Sequence, residues 1–308
     1  MTMPELCVGE RCWTVPAGSN LLDTLNGAGF AVPYSCRAGS CHACLVRCLE
    51  GQPADALPEA LALDKREEGW RLACQCQVTS NLRVAVFDPL SDGLPATICG
   101  LHWSGEVLRL RLRPARPLRY RAGQHLVLWN GDIARPYSLA SLPGDEAFLE
   151  FHLDCRHSGA FCGAVRQLQV GDPLRLGELR GGALHYDPDW QDRPLLLLAA
   201  GTGLAPLWGI LREALRQGHE AEIRVMHLAH EHYLAEALND LAGLHSNVSV
   251  ALVTADQFQQ ALAGLCPSRR TVALACGAPG SVEQFARRLF IAGLPRNQLF
   301  ADVFTEHA

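Results

Sequence analysis

Four cysteines stand where a metal cluster could be gripped. Cys36, Cys41 and Cys44 follow the spacing C-x4-C-x2-C, and Cys74 comes after a further 29 residues; this is the spacing of [2Fe–2S] ligation. Four thiolates must converge on two irons while backbone N–H groups approach the inorganic sulfides. The small residues Ala38, Gly39 and Ser40 between the first two cysteines permit that approach. The alternative, a zinc site, calls for paired C-x-x-C units, and only Cys41 to Cys44 forms one. Cys48 and Cys76 lie close enough along the chain to compete as ligands, and read as buried small hydrophobes.

Three further stretches carry chemistry. In Arg135-Pro-Tyr137-Ser138 a cation could meet a pyrophosphate, an aromatic ring could lie on a flavin, and a hydroxyl could reach a ring nitrogen; an ordinary barrel strand is the alternative. Gly201-Thr202-Gly203-Leu-Ala-Pro206 follows an apolar run and opens a helix, where a glycine turn lets pyrophosphate approach backbone amides. It is not the G-x-G-x-x-G fingerprint, because Pro206 takes the third position, and a tight structural turn is the alternative. Cys276-Gly277-Ala-Pro-Gly280 ends another strand, at the edge where open α/β sheets bind ligands. Alone, that cysteine would read as core.

The elements that must position these residues change in texture along the chain. Residues 1 to about 90 hold eight of the thirteen cysteines. Leu6 to Val8 and Cys12 to Val15 read as a hairpin, and Ser19 or Asn20 can cap a helix through Leu21, Leu22 and Leu25. Asp88 to Pro95 reads as a linker. Beyond it, period-two alternation in Glu106 to Arg113 and short runs at His125 to Trp129, Tyr137 to Leu139 and Ala147 to Leu153 predict an antiparallel β-barrel. From Pro194 onward, buried strands alternate with helices, the pattern of a doubly wound parallel sheet. The expected organisation is therefore multidomain, α+β and α/β, with boundaries 1–92, 93–190 and 191–308.

Composition narrows the partners. With 48% hydrophobic and 19% charged residues, the 308-residue chain can bury a core and has no disordered signature. A net charge of −5 without a basic cluster argues against nucleic acid. The start lacks a signal-peptide pattern and no run is long enough to span a membrane, so no membrane partner and a cytoplasmic location are expected. In that reducing compartment the thirteen cysteines should ligate metal or pack in cores, not form disulfides.

Tyr34 to Val46 and Arg71-Leu-Ala-Cys74-Gln75 resemble the cluster loop and fourth-ligand segment of plant-type ferredoxins, a β-grasp domain. This implies Cys74, and not Cys76, as the fourth ligand. Arg-x-Tyr-Ser, Gly-Thr-Gly-x-Ala-Pro, Cys-Gly-x-Pro and the terminal Asp302-Val-Phe304 together resemble the ferredoxin–NAD(P) reductase superfamily. With the cluster part in front, the match is to NADH:acceptor reductase components of bacterial oxygenases and related flavin iron–sulfur reductases. The resemblance implies that Arg135, Tyr137 and Ser138 hold FAD, that Gly201, Thr202, Gly203 and Pro206 meet the nicotinamide dinucleotide, and that Cys276 and Gly277 lie near hydride transfer. Ser138 would bond the flavin N5, and Phe304 would cover the ring face with Asp302 nearby. His152-Leu153 would be the strand end that leads to the FAD pyrophosphate at Gly159 to Cys162. One departure matters: Cys162 stands where the family has Ser, which removes a hydroxyl bond and leaves FMN as the alternative.

Residues His227-Leu-Ala-His-Glu-His232 follow the second strand of the last sheet, where a 2′-phosphate would want a permanent cation. None is present and Glu231 would repel a phosphate, so NADH is expected. A histidine-bound phosphate is the alternative, and otherwise the three histidines read as a solvated loop. The implied activity passes electrons from NADH through FAD and the [2Fe–2S] cluster to a partner protein such as a terminal oxygenase. Two rivals stay open: a flavin iron–sulfur reductase of another metabolic pathway, such as deoxysugar synthesis, and a non-catalytic electron-transfer or sensor protein.

Overall fold

A computed structural model describes residues 3–157 and 159–304. Two compact units separate: Met1–Pro95 with Leu126–Pro136 and Leu174–Arg180, and Ala96–His125 with Tyr137–Pro173 and Gly181–Ala308.

In the first unit, strands Glu5–Val8 and Arg11–Thr14 form the expected hairpin. Glu5–Val8 pairs in parallel with Leu82–Val86, which pairs antiparallel with Leu45–Glu50, and Trp70–Leu72 closes that mixed sheet. Helix Leu21–Gly27 starts where Asn20 accepts the Asp23 amide, 3.2 Å away, on its side-chain oxygen. Its apolar face, Leu21, Leu22 and Leu25, is fully buried in the core under the sheet. One helix held in the curve of a mixed sheet is the β-grasp arrangement. Strands His125–Asn130 and Pro173–Arg180 are neighbours in the same unit, and Trp129 stacks on Phe87 at 5.3 Å.

The expectation of no disulfide is corrected here. Cys7 and Cys12 are disulfide-bonded, because the hairpin register sets them directly opposite with Cα atoms 4.1 Å apart. The other eleven cysteines are thiols. Asp88 to Asp92 is also more than a linker: the Asp88 carboxylate accepts from the Leu90 amide and the Ser91 hydroxyl, and its own amide donates to Asp92. A tight, self-bonded turn results.

The second unit contains two layers of architecture. Val107–Pro114 lies between Leu94–Ser104 and Leu149–Asp154, antiparallel to both, as the barrel pattern requires. Further on is a parallel sheet in the order Val248–Val253, Ile223–Leu228, Leu195–Ala200, Val272–Gly277, Leu299–Val303. Its central strand shows why a buried parallel strand reads as continuously apolar. Leu195, Leu197 and Ala199 face the core shared with helices Leu204–Arg216 and Ala235–Leu244, while Leu196, Leu198 and Ala200 face Phe258–Ala263 and Pro279–Ile291. This is the doubly wound sheet. Among the described residues no helix is long and apolar enough to cross a membrane.

Candidate functional site

The cysteine loop of the first unit is built around the Cys36 sulfur. Backbone amides of Ala38, Ser40 and Cys41 all donate to it at 3.3 Å, and the Cys36 amide donates to the Cys41 sulfur at 3.4 Å. Turning that many amides inward needs unusual backbone, and Arg37 and His42 both take left-handed conformations, with φ 50° and 55°. Arg37 is clamped outside by Asp23, at 2.6 Å, and by the Tyr34 ring at 4.6 Å. Gln75 donates to the Arg37 carbonyl at 2.9 Å and to the Cys74 sulfur at 3.2 Å, so the fourth-cysteine segment is tied to the loop.

The four thiols associate in two pairs. Contact with the Cys41 thiol, helped by the amides, draws the Cys36 thiol down to about 4, and contact with Cys44 draws Cys74 down to about 7. The partner thiols Cys41 and Cys44 are raised, by that contact and then by burial, whereas burial leads in Cys48, pushed up to about 11, and in Cys76, raised further. Two pairs of thiols, one surrounded by inward amides, are the donor set a two-iron cluster needs, and it fits.

The flavin-type residues lie on strand Ile133–Ser138. Arg135, in the first unit, donates to the Ala134 carbonyl at 2.7 Å. In the second unit Ser138 is buried and Tyr137 tilts against Phe161 with ring centres 5.3 Å apart. Phe161 belongs to helix Ala160–Val165, whose first amides follow Gly159. Cys162, the departure from the family pattern, donates its thiol to the Asp154 carbonyl at 3.3 Å and so closes the helix back on the preceding strand. A half-buried aromatic ring, a buried hydroxyl and a helix start on one unit fit a flavin nucleotide.

The nucleotide edge brings three distant stretches together. Gly203 must be glycine, because a Cβ there would lie 2.2 Å from the Cys276 carbonyl oxygen, and a Cβ on Gly277 would lie 2.4 Å from that of Ala200. The two glycine turns therefore nest into each other's strand ends. Cys276 pairs in register with Asp302, and the Phe304 amide donates to the Gly277 carbonyl at 2.9 Å. Burial, and then the Asp302 charge, raise the Cys276 thiol well above its ordinary value, so it is a neutral S–H group. Thr202 is buried, and Pro206 sits in the first turn of helix Leu204–Arg216, where its missing N–H costs nothing. The turn Gly201–Gly203 also packs against strand Leu149–Asp154, bringing the nucleotide edge to the flavin side.

That strand carries the expected His152 and Leu153 and one residue the sequence reading missed, Glu150. His152 and Leu153 are both buried. His152 has one ring nitrogen 3.1 Å from Glu150 and the other 2.9 Å from the Tyr233 hydroxyl. Glu150, 2% exposed, is also held by Arg109 at 3.1 Å and Arg111 at 2.5 Å. A carboxylate inside the apolar run Leu149-Glu-Phe-His-Leu153 is the mark that could have found this network. Tyr233 leaves no such mark.

One expectation about residues 227–232 changes. His227 is fully buried at a strand end and not in a solvated loop. Glu231 is exposed, with its carboxylate over the turn at Gly105.

Residues 8–79 match the 2Fe-2S iron-sulfur cluster binding domain family. The chain is 30% identical, over 97% of its length and 98% of the relative's, to the ferredoxin–NAD(P)(+) reductase component of the naphthalene 1,2-dioxygenase system of Pseudomonas putida. It is also 30% identical to the corresponding component of the naphthalene 1,2-dioxygenase/salicylate 5-hydroxylase systems of a Ralstonia species, over 93% of this chain and 94% of that one. Among solved structures, an Amycolatopsis cytochrome P450 reductase shares the fold at 23% identity, with a TM-score of 0.65 over 98% of this chain and 99% of that chain. Full-length identity at this level, on a fold that carries the cysteine loop and the nested glycine turns, places the chain in the family of ferredoxin–NAD(P)(+) reductase components of oxygenase systems, which are oxidoreductases.

Proposed function

We propose that this chain is the NADH-dependent reductase of an oxygenase system, with FAD and a [2Fe–2S] cluster as resident cofactors and an oxygenase component as electron acceptor. The observation that carries this reading is the presence, in one chain related end to end to oxygenase reductases, of the paired thiols Cys36/Cys41 and Cys44/Cys74 and of the interlocked turns at Gly203 and Gly277. Bound FAD supplies the change from two-electron to one-electron transfer. Cys36, Cys41, Cys44 and Cys74 hold the cluster. Arg135 and the amides from Gly159 to Cys162 receive the FAD phosphates, on the strand end His152-Leu153, while Tyr137 and Ser138 orient the ring. Gly201, Thr202, Gly203 and Pro206 shape the dinucleotide turn, Cys276, Gly277 and Asp302 border the transfer point, and Phe304 guards it. The corresponding domains are 1–92, 93–190 and 191–308, and the site of action is the cytoplasm. NADH is favoured over NADPH because residues 227–232 contain no lysine or arginine.

Anaerobic titration of the purified protein with NADH and with NADPH, followed by visible spectrum and low-temperature EPR, tests the reading. NADH should bleach the flavin and bring up a one-electron cluster signal, with NADPH much less effective. Reduction by dithionite but by neither dinucleotide would overturn it in favour of an electron-transfer or sensor protein.

A further inference from the structure

The turn Gly201–Gly203 is held from the side by a histidine that no motif includes. His227 ends strand Ile223–Leu228, in register beside Ala199, and its Nε2 lies 3.0 Å from the Gly201 carbonyl oxygen. A carbonyl can only accept, so Nε2 carries the hydrogen. Burial brings the His227 pKa down to about 4, which keeps the ring neutral near pH 7 and leaves Nδ1 bare. His232 Nδ1, 3.3 Å away, must then donate to it. The result is a one-way chain of hydrogen bonds, His232 to His227 to Gly201.

The next residue, Tyr233, ties the segment after strand Ile223–Leu228 to strand Leu149–Asp154. Tyr233 donates to His152, whose other nitrogen donates to the Glu150 carboxylate, since that group also only accepts. The Tyr233 ring packs edge-on against both His152, at 5.1 Å, and His227, at 5.7 Å. His232 and Tyr233, neighbours in sequence, thus address the glycine turn and the flavin-side strand respectively.

The pin on Gly201 has a directional consequence. In a trans peptide the carbonyl and the following N–H point oppositely, so fixing the Gly201 carbonyl toward His227 fixes the Thr202 amide away from it. Gly201, at φ 56°, lacks the Cβ that would restrain this peptide plane by itself. The Leu204 amide also reaches the Gly201 carbonyl from within the turn, but it moves with the turn, whereas His227 is anchored in the sheet.

We propose that His227, oriented by His232, is a positioning residue for dinucleotide binding: its Nε2–H sets the Gly201–Thr202 peptide plane and so the direction of the amide offered to the pyrophosphate. This rests on reading Gly201–Gly203 as the phosphate cradle.

The test uses the FAD- and cluster-loaded protein and titrates NAD+ onto the oxidised form by calorimetry, alongside KM and kcat for NADH, for wild type, His227→Phe and His227→Gln. Phe fills the space without a donor; Gln restores a donor at nearly the Nε2 position. For His227→Phe, Kd and KM should rise about tenfold with kcat within about twofold, and His227→Gln should recover most of the loss. Unchanged Kd in the Phe variant, or an equal loss in the Gln variant, overturns the proposal. If the Phe variant does not fold, His232→Leu removes the orienting donor from the accessible side and should raise Kd about threefold; no change there also overturns it. A wild-type protein that binds no dinucleotide would instead bring down the cradle reading itself, a distinct result.

Discussion

The cysteine loop and the nucleotide edge, each proposed to hold a charged cofactor, are built from opposite materials. In the loop side-chain sulfurs converge, and the backbone bends into left-handed conformations at Arg37 and His42 to serve them. At the nucleotide edge the groups proposed to bind are backbone amides, and side chains matter mainly by being absent, as at Gly203 and Gly277. The loop is specified by residue type and the edge by free space. A substitution should therefore fail chemically in the first region and sterically in the second.

The largest effect expected is chemical. Cys36→Ser or Cys74→Ser should abolish the cluster EPR signal and NADH-driven reduction of a one-electron protein acceptor, with flavin reduction by NADH preserved. Cys48→Ser and Cys76→Ser should keep the signal, since neither belongs to the paired thiols Cys36/Cys41 and Cys44/Cys74. Loss of the signal in Cys76→Ser but not in Cys74→Ser would reverse the ligand assignment and break the contrast at its first term.

The steric counterpart is Gly203→Ala. With its Cβ at 2.2 Å from a backbone oxygen, relief requires separating the turn from the Cys276 strand end, at a cost of about 3 kcal/mol. Thermal unfolding should show an earlier transition, NAD+ binding should weaken, and the cluster signal should stay. Gly182→Ala, with nothing within 4 Å, should be neutral. Equal behaviour of the two variants would mean that free space does not specify the edge.

This contrast also explains what was legible from sequence. Cysteine spacing could be read because iron leaves no choice of residue, and the sheet because Leu195–Ala200 must be apolar on both faces. Strand Leu94–Ser104 was hidden by Pro95 and by the Asp88 turn taken for a linker, and Pro173–Arg180 by a proline at its start and a glycine within it. Helix Leu204–Arg216 begins directly after the glycine turn, as the apolar run followed by glycines suggested, and Pro206 falls in its first turn where no N–H is needed. The Cys7–Cys12 bond followed from hairpin register, which the compartment argument overrode. The burial of His227 and the contact of Tyr233 were illegible because their partners are a carbonyl and a residue 81 positions away.

Glu150 sharpens the comparison from inside the second unit, where a buried charge replaces free space. Burial alone would raise its pKa, but hydrogen bonds from His152 and Arg111 and the charge of Arg109 hold the carboxyl well below the usual range. A carboxylate depressed in the folded state contributes stability above its unfolded value of about 4.3 and loses it as pH falls below that value toward the folded one. Glu150→Gln should cost about 2 kcal/mol at pH 7 and should flatten the acid limb of the stability curve below about pH 4. Denaturant unfolding at a series of pH values measures both. An unchanged acid limb would show that the arginines are satisfied without the carboxylate.

The smallest effect expected lies at Cys162, which stands where the resemblance expects a serine. If backbone amides carry phosphate binding there, as at the nucleotide edge, the side chain is secondary and Cys162→Ser should change the FAD dissociation constant by less than about threefold, the scale of one exposed hydrogen bond. The thiol now donates to the Asp154 carbonyl, and a serine hydroxyl, with its shorter bond to Cβ, can keep that contact or turn toward the phosphate, but cannot do both with one hydrogen. Keeping the contact changes no bond and turning exchanges one for another, which is why the net is small. Measured by flavin fluorescence on removal and readdition of FAD, a tightening beyond about tenfold would show that a side chain specifies this site after all, aligning it with the cysteine loop and not with the glycine turns.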